Sequence, residues 1–177
     1  MQTQVSQEVL SILTYAREEA CRAGDRAIST DHLLLGILRH KDNQALRTLQ
    51  ELGIDPADLK SYLEKTIFKP QSIPYAQSQN IVFSRNAQNT LNLSIIEANI
   101  ALSDKIIPVH LLLAICACAG SRSLEYLKTH GVDHARIKAY LKERGLLQAR
   151  LVKKAGEEKS SPVSILKIIS SPGKIAS

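Results

Sequence analysis

The chain has 177 residues, of which 44% are hydrophobic and 23% charged, with a formal net charge of +6 and no tryptophan. That composition is ordinary for a globular protein of one or two domains, with a core built mainly from Leu, Ile, Val and Ala. No run approaches the ~20 apolar residues of a membrane helix, and Met1-Gln2-Thr3-Gln4-Val5 lacks the basic and apolar regions of a signal peptide.

In chain order, Val5-Ser6 precedes a stripe at Val9, Leu10, Leu13, Ala16 and Ala20, which is helical spacing with Ser6 as N-cap and Gly24 as stop. A second helix opens at Ser29-Thr30, with Thr30 suited to the cap, and Leu33–Leu38 is apolar nearly all round, so this helix is expected to be central. A third carries Ala45, Leu46, Leu49 and Leu52 and stops at Gly53. Asp55-Pro56 then opens a fourth with Leu59, Tyr62 and Leu63 inward. Pro70, Ser72, Pro74, Ser78 and Asn80 mark residues 66–82 as a linker.

The pattern then repeats without a gap. Shifted by 78 positions, Asp31-His32-Leu33-Leu34-Leu35-Gly36-Ile37 falls on Val109-His110-Leu111-Leu112-Leu113-Ala114-Ile115. Phe83-Ser84 and Ala87, Leu91, Ile95 and Ala98 restart the first helix, and Pro108 opens the second. Leu124 and Leu127 lead to Gly131, and Asp133 opens the fourth with Ile137, Tyr140 and Leu141 inward. An internal repeat of this kind fixes the architecture. The expectation is two tandem four-helix units, residues 5–65 and 83–144, forming one domain over 1–147.

After Arg144 the helical pattern fades. Residues 148–177 read as a basic, flexible tail. From Gly145 onward there are six basic and two acidic residues, leaving only +2 on the repeats. Within it Val163-Ser164-Ile165-Leu166-Lys167-Ile168-Ile169 is β-branched and apolar, either a strand that adds to a partner's sheet edge or a weakly ordered patch.

A Val/Phe-Ser start, a long first helix, a Thr-Asp-His-Leu-Leu-Leu-Gly second helix and a Gly-[Ile/Val]-Asp break coincide in this chain. Together they resemble the double Clp N-terminal domain found at the front of ClpA- and ClpC-type unfoldases. The family signature Gly-Thr-Glu-His-[Ile/Leu]-Leu-x-[Gly/Ala] is matched by Ser29–Gly36 and by Ile107–Ala114. The resemblance covers about residues 5–144. It implies an all-α fold of two four-helix repeats about a pseudo-two-fold axis. It also implies a non-catalytic role, binding substrate proteins, adaptors or Clp unfoldase or protease subunits in the cytoplasm. No Gly-x-x-x-x-Gly-Lys-[Ser/Thr] loop of an AAA+ motor occurs. The start Met and distinct tail favour a free-standing member over a fragment of an unfoldase.

In ClpC-type relatives the Glu of Thr-Glu-His helps bind the guanidinium of phosphorylated arginine. The first repeat has Asp31 here and the second has Val109, which cannot pair with a cation. The resemblance leaves at most one weakened site, on Asp31, against the alternative of a first-turn acid complementing the helix dipole. The expected contact surface is the grooves between repeats and the second-helix starts, Thr30, Asp31, Pro108 and Val109.

His32 and His110 match across the repeat beside apolar runs and read as packed histidines rather than catalytic or metal ligands. Cys21, Cys116 and Cys118, odd in number and without a CxxC, read as free thiols of a reducing cytosol. No cofactor, metal or catalytic set is expected, since no Gly-x-Ser-x-Gly or His-Glu-x-x-His occurs. The repeats lack the basic stripe of a nucleic-acid reader. Salt-dependent, tail-driven attraction to nucleic acid or anionic surfaces is the alternative from another class.

Overall fold

The computed structural model describes residues 3–148. The expected tail, including the apolar run 163–169, lies outside the described residues. The repeats are each four helices as expected: α1 (Gln7–Ala23), α2 (Thr30–Arg39), α3 (Gln44–Glu51) and α4 (Pro56–Ile67), then α5 (Arg85–Ile100), α6 (Pro108–Ala117), α7 (Arg122–Thr129) and α8 (His134–Glu143). Side-chain caps account for the starts. Ser6, Asn43, Asp55, Ser84, Ser121 and Asp133 each accept a first-turn N–H. The second helix is capped by Ser29, not Thr30. Thr30 is the first helical residue, buried with its hydroxyl 3.3 Å from that of Thr90. Gly24 and Gly53 take left-handed φ values of 77° and 88° at the ends of α1 and α3, as the turn out of a helix requires.

The helices pack mainly as the pairs α1·α2 and α5·α6. The two apolar second helices, α2 and α6, meet at the centre. Leu33, Leu34 and Ile37 of α2, and Leu111, Leu112, Leu113 and Ile115 of α6, are fully buried. A single hydrophobic core therefore runs through both repeats.

Four two-residue strands, which the sequence did not signal, knit the repeats together. β1 (Gln4–Val5) pairs in parallel with β4 (Lys105–Ile106), and β2 (Ala27–Ile28) with β3 (Val82–Phe83). The leading strand of each repeat thus pairs with the inner strand of the other, and the two pairs are related by the internal repeat.

The join between repeats lies against α1. Lys69 and Ile73 donate their backbone N–H groups to the carbonyls of Ala23 and Cys21. The Arg17 guanidinium, buried on α1, donates to the carbonyls of Ser78 and Ile81, each at 2.8 Å, around a 3₁₀ turn at Tyr75–Asn80.

Candidate functional site

The second-helix starts singled out by the sequence form the joint between repeats and are not a surface. Thr30, Asp31, Pro108 and Val109 are all buried. Each oxygen of the Asp31 carboxylate is engaged by the start of α7. Oδ1 accepts from the Ser123 backbone N–H at 2.8 Å and its hydroxyl at 2.6 Å, and Oδ2 accepts from the Arg122 N–H at 3.4 Å. An anion at a helix N-terminus meets unsatisfied N–H groups and the positive end of the dipole. A guanidinium reaching Asp31 would have to displace these bonds.

The other half of the molecule answers this pair with apolar residues. The repeat partners of Asp31 and Ser123 are Val109 and Ala45, both fully buried, and α3 packs on α6 as α7 packs on α2. The difference between Asp31 and Val109 therefore comes with a matching difference on the facing helix.

His32 and His110 occupy the third position of α2 and α6. The Nδ1 of each accepts a backbone N–H from the residue before the helix, Ser29 at 2.9 Å and Ile107 at 3.1 Å. The imidazole stands in for the glutamate of a capping box. At α2 the box is reciprocal through the Ser29 hydroxyl. At α6, Ile107 has no acceptor, so only the histidine's half is made. With Nδ1 accepting, Nε2 carries the proton. In His110 it donates to the Leu147 carbonyl at 2.6 Å, and in His32 it lies 3.4 Å from the Asp25 carboxylate. Burial holds both imidazoles below the usual histidine range, against the raising effect of Asp25, Asp31 and Glu19 on His32 and of the Leu147 carbonyl on His110.

Two open grooves, one in each repeat, share three matched positions: Glu19/Glu97, Arg22/Ile100 and Lys60/Lys138. The first, about 440 Å³, lies among α1, α2 and α4. Leu35, Leu38, Pro56 and Ala57 line its floor, and Arg22, Arg39, Lys41 and Lys60 its rim. Buried Glu19 accepts there from Arg22 at 3.0 Å and Arg39 at 3.3 Å. The second, about 410 Å³, lies between the ends of α5 and α8, lined by Ile100, Leu102 and Leu147 with Lys138 and Lys142.

Its buried carboxylate is Glu97, the repeat partner of Glu19, but its side-chain partners now come from α8: His134 at 2.6 Å and Lys138 at 3.2 Å. Burial pushes the Glu97 carboxyl up, and the bonds from His134 and Lys138 outweigh it, leaving it below the usual range. The sequence holds the two glutamates at matched positions of the repeat. It did not indicate the grooves, because their walls come from separate segments, α1, α2 and α4 in the first and the ends of α5 and α8 in the second.

Among the described residues no cluster of His, Cys, Asp and Glu is arranged to hold a metal ion. Burial pushes the Cys116 thiol up to about 12 and raises Cys21 as well, which leaves both as unreactive thiols. No described helix is long and apolar enough to cross a membrane.

Comparison with known proteins gives the same reading of the fold. The family model for the Clp repeat (R) N-terminal domain matches residues 4–130. The negative regulator of genetic competence ClpC/MecB of Bacillus subtilis is 32% identical over 113 residues, which is 64% of this chain and 13% of that protein. The chain thus spans a small part of the curated relatives it matches. The Hsp104 N-terminal domain from Candida albicans superimposes with a TM-score of 0.66 at 16% identity, over 85% of this chain and 99% of that one. The N-terminal domain of ClpD from Arabidopsis thaliana gives 0.61 at 17% identity, over 80% and 94%.

Proposed function

The chain belongs to the Clp repeat N-terminal domain family, and from that premise we propose that it is a non-catalytic, cytoplasmic protein-interaction module. It binds a substrate protein, an adaptor or a Clp unfoldase or protease subunit, and so tunes regulated proteolysis or protein quality control. The observation that carries this reading is the groove of the first repeat, where four cationic side chains ring an apolar floor. Glu19 is already committed to Arg22 and Arg39, and Glu64 lies 3.9 Å from Lys60, so exposed Lys41 supplies the uncommitted positive charge. Such a groove suits a segment with apolar anchors and acidic flanks. The second-helix starts contribute by fixing the two repeats, since Thr30, Asp31, Pro108 and Val109 are inside the joint.

Affinity capture from native cytosol tests the reading. Enrichment of a Clp subunit, an adaptor or an unfolded client on the wild-type chain, lost with Lys41→Glu/Lys60→Glu, supports it. No enrichment over that double variant ends it.

A further inference from the structure

The outward face of α5 departs from the pattern that its own repeat sets. Ile96, Ile100 and Leu102 stand where the first repeat has Glu18, Arg22 and Gly24. In the first repeat those positions are ion-paired or glycine: Glu18 with Arg39 at 2.5 Å, and Arg22 with Glu19 and Glu64 at 3.0 and 2.7 Å. In the second the three residues are 50%, 60% and 83% exposed. Ile96 and Ile100 are one turn apart on the same helical face, and Leu102 follows at the helix end. Leu102 also holds φ 54°, a left-handed conformation that leucine adopts only against strain and that Gly24 adopts freely. The turn ends α5 as Gly24 ends α1, but an exposed leucine in place of glycine there has no folding rationale within residues 3–148.

The chain leaves the described region at this same place. Leu147 and Gln148 line the groove together with Ile100 and Leu102. The sequence beyond carries one strongly apolar run, Val163, Ile165, Leu166, Ile168 and Ile169, separated from Gln148 by residues 149–162. That spacer spans up to about 50 Å extended and about 20 Å as a random coil. Either length allows the run to turn back onto α5. A tether this short holds it there at an effective concentration in the millimolar range.

We propose that the chain's own segment Val163–Ile169 packs on the Ile96, Ile100 and Leu102 face, with Leu147 at the edge of the contact. The segment covers the apolar face of the second repeat and leaves the groove of the first open. The contact is intramolecular and does not depend on which partner the first groove takes.

Methyl-resolved NMR of the isotopically labelled 177-residue chain tests it. The expected result is cross-relaxation between methyls of Leu166 or Ile168 and those of Ile100 or Leu102 within one molecule. In Ile100→Arg/Leu102→Gly, which restores the residues of the first repeat at exposed positions, signals of 163–169 should move to random-coil shifts while the helices keep theirs. Random-coil shifts for 163–169 in the wild type would overturn the proposal, as would unchanged shifts in the variant. So would cross-relaxation seen only between differently labelled molecules, which would assign the face to a second copy.

Discussion

Asp31 and Ser123 lie 92 residues apart in sequence and share two hydrogen bonds through one carboxylate oxygen, at 2.8 and 2.6 Å. The second helix of one repeat thereby caps the third helix of the other. Removing one partner of such a buried pair costs more than removing both, because the survivor keeps its desolvation penalty. Asp31→Val is expected to destabilise the chain by about 1–3 kcal/mol. Asp31→Val/Ser123→Ala, which copies the Val109 and Ala45 of the other half, should recover a large part of that loss. Urea denaturation of the four members of the cycle measures it.

Burial depresses the pKa of His32 and His110 from the ordinary 6.5. The unfolded chain therefore binds protons that the folded chain refuses. The stability from these groups is fully present above about pH 6.5 and is lost as pH falls from there towards the depressed folded values. Thermal melts from pH 8 to pH 5 should show a falling midpoint below about pH 7. His110→Gln should flatten part of that slope.

Arg17 on α1 fixes the turn before the second repeat through the carbonyls of Ser78 and Ile81. Arg17→Met keeps most of the side-chain volume and leaves both carbonyls without the guanidinium. The expected cost is about 1–3 kcal/mol. Faster amide exchange confined at first to residues 75–83 would localise it, and hydrogen-exchange mass spectrometry reads both effects.

At Gly36 the backbone of α2 lies close against that of α1 at Ile12 and Ala16. A Cβ there would sit 2.5 Å from the Ile12 carbonyl oxygen, on backbone that cannot swing away. Gly36→Ala is expected to cost about 1–3 kcal/mol by overpacking, although the equivalent residue of the second repeat is Ala114. Denaturant titration of this variant beside Ala114→Gly gives the asymmetry of the two crossings.

The helices were legible because each carries apolar residues at helical spacing, and several add a capping Ser or Asp, as at Ser6, Asp55, Ser84 and Asp133, or a glycine stop, as at Gly24, Gly53 and Gly131. The two-residue strands were not, since a period cannot be read from two residues and their partners lie in the other repeat. The role of Asp31 was hidden for a related reason. As a first-turn acid it is indistinguishable from a binding carboxylate until Ser123 is known to face it. The signal that identifies it is internal to the chain: Asp31 changes to Val109 where Ser123 changes to Ala45. The histidines read correctly as packed groups, but their capping role was missed because that position is ordinarily a glutamate or glutamine. The α5 face was visible only as three residues that break the repeat.

The exchanged strands also constrain the order of events during synthesis. Gln4 and Val5 emerge from the ribosome a whole repeat before their partners Lys105 and Ile106. Until then the leading edge of the nascent chain has no mate, and a lone first half exposes the same edges that the second half exists to satisfy. Two such halves on separate polypeptides would complete each other. The tandem chain is in this sense a homodimer carried on one backbone, and separation of its halves, each supplied in trans, should rebuild one particle rather than two.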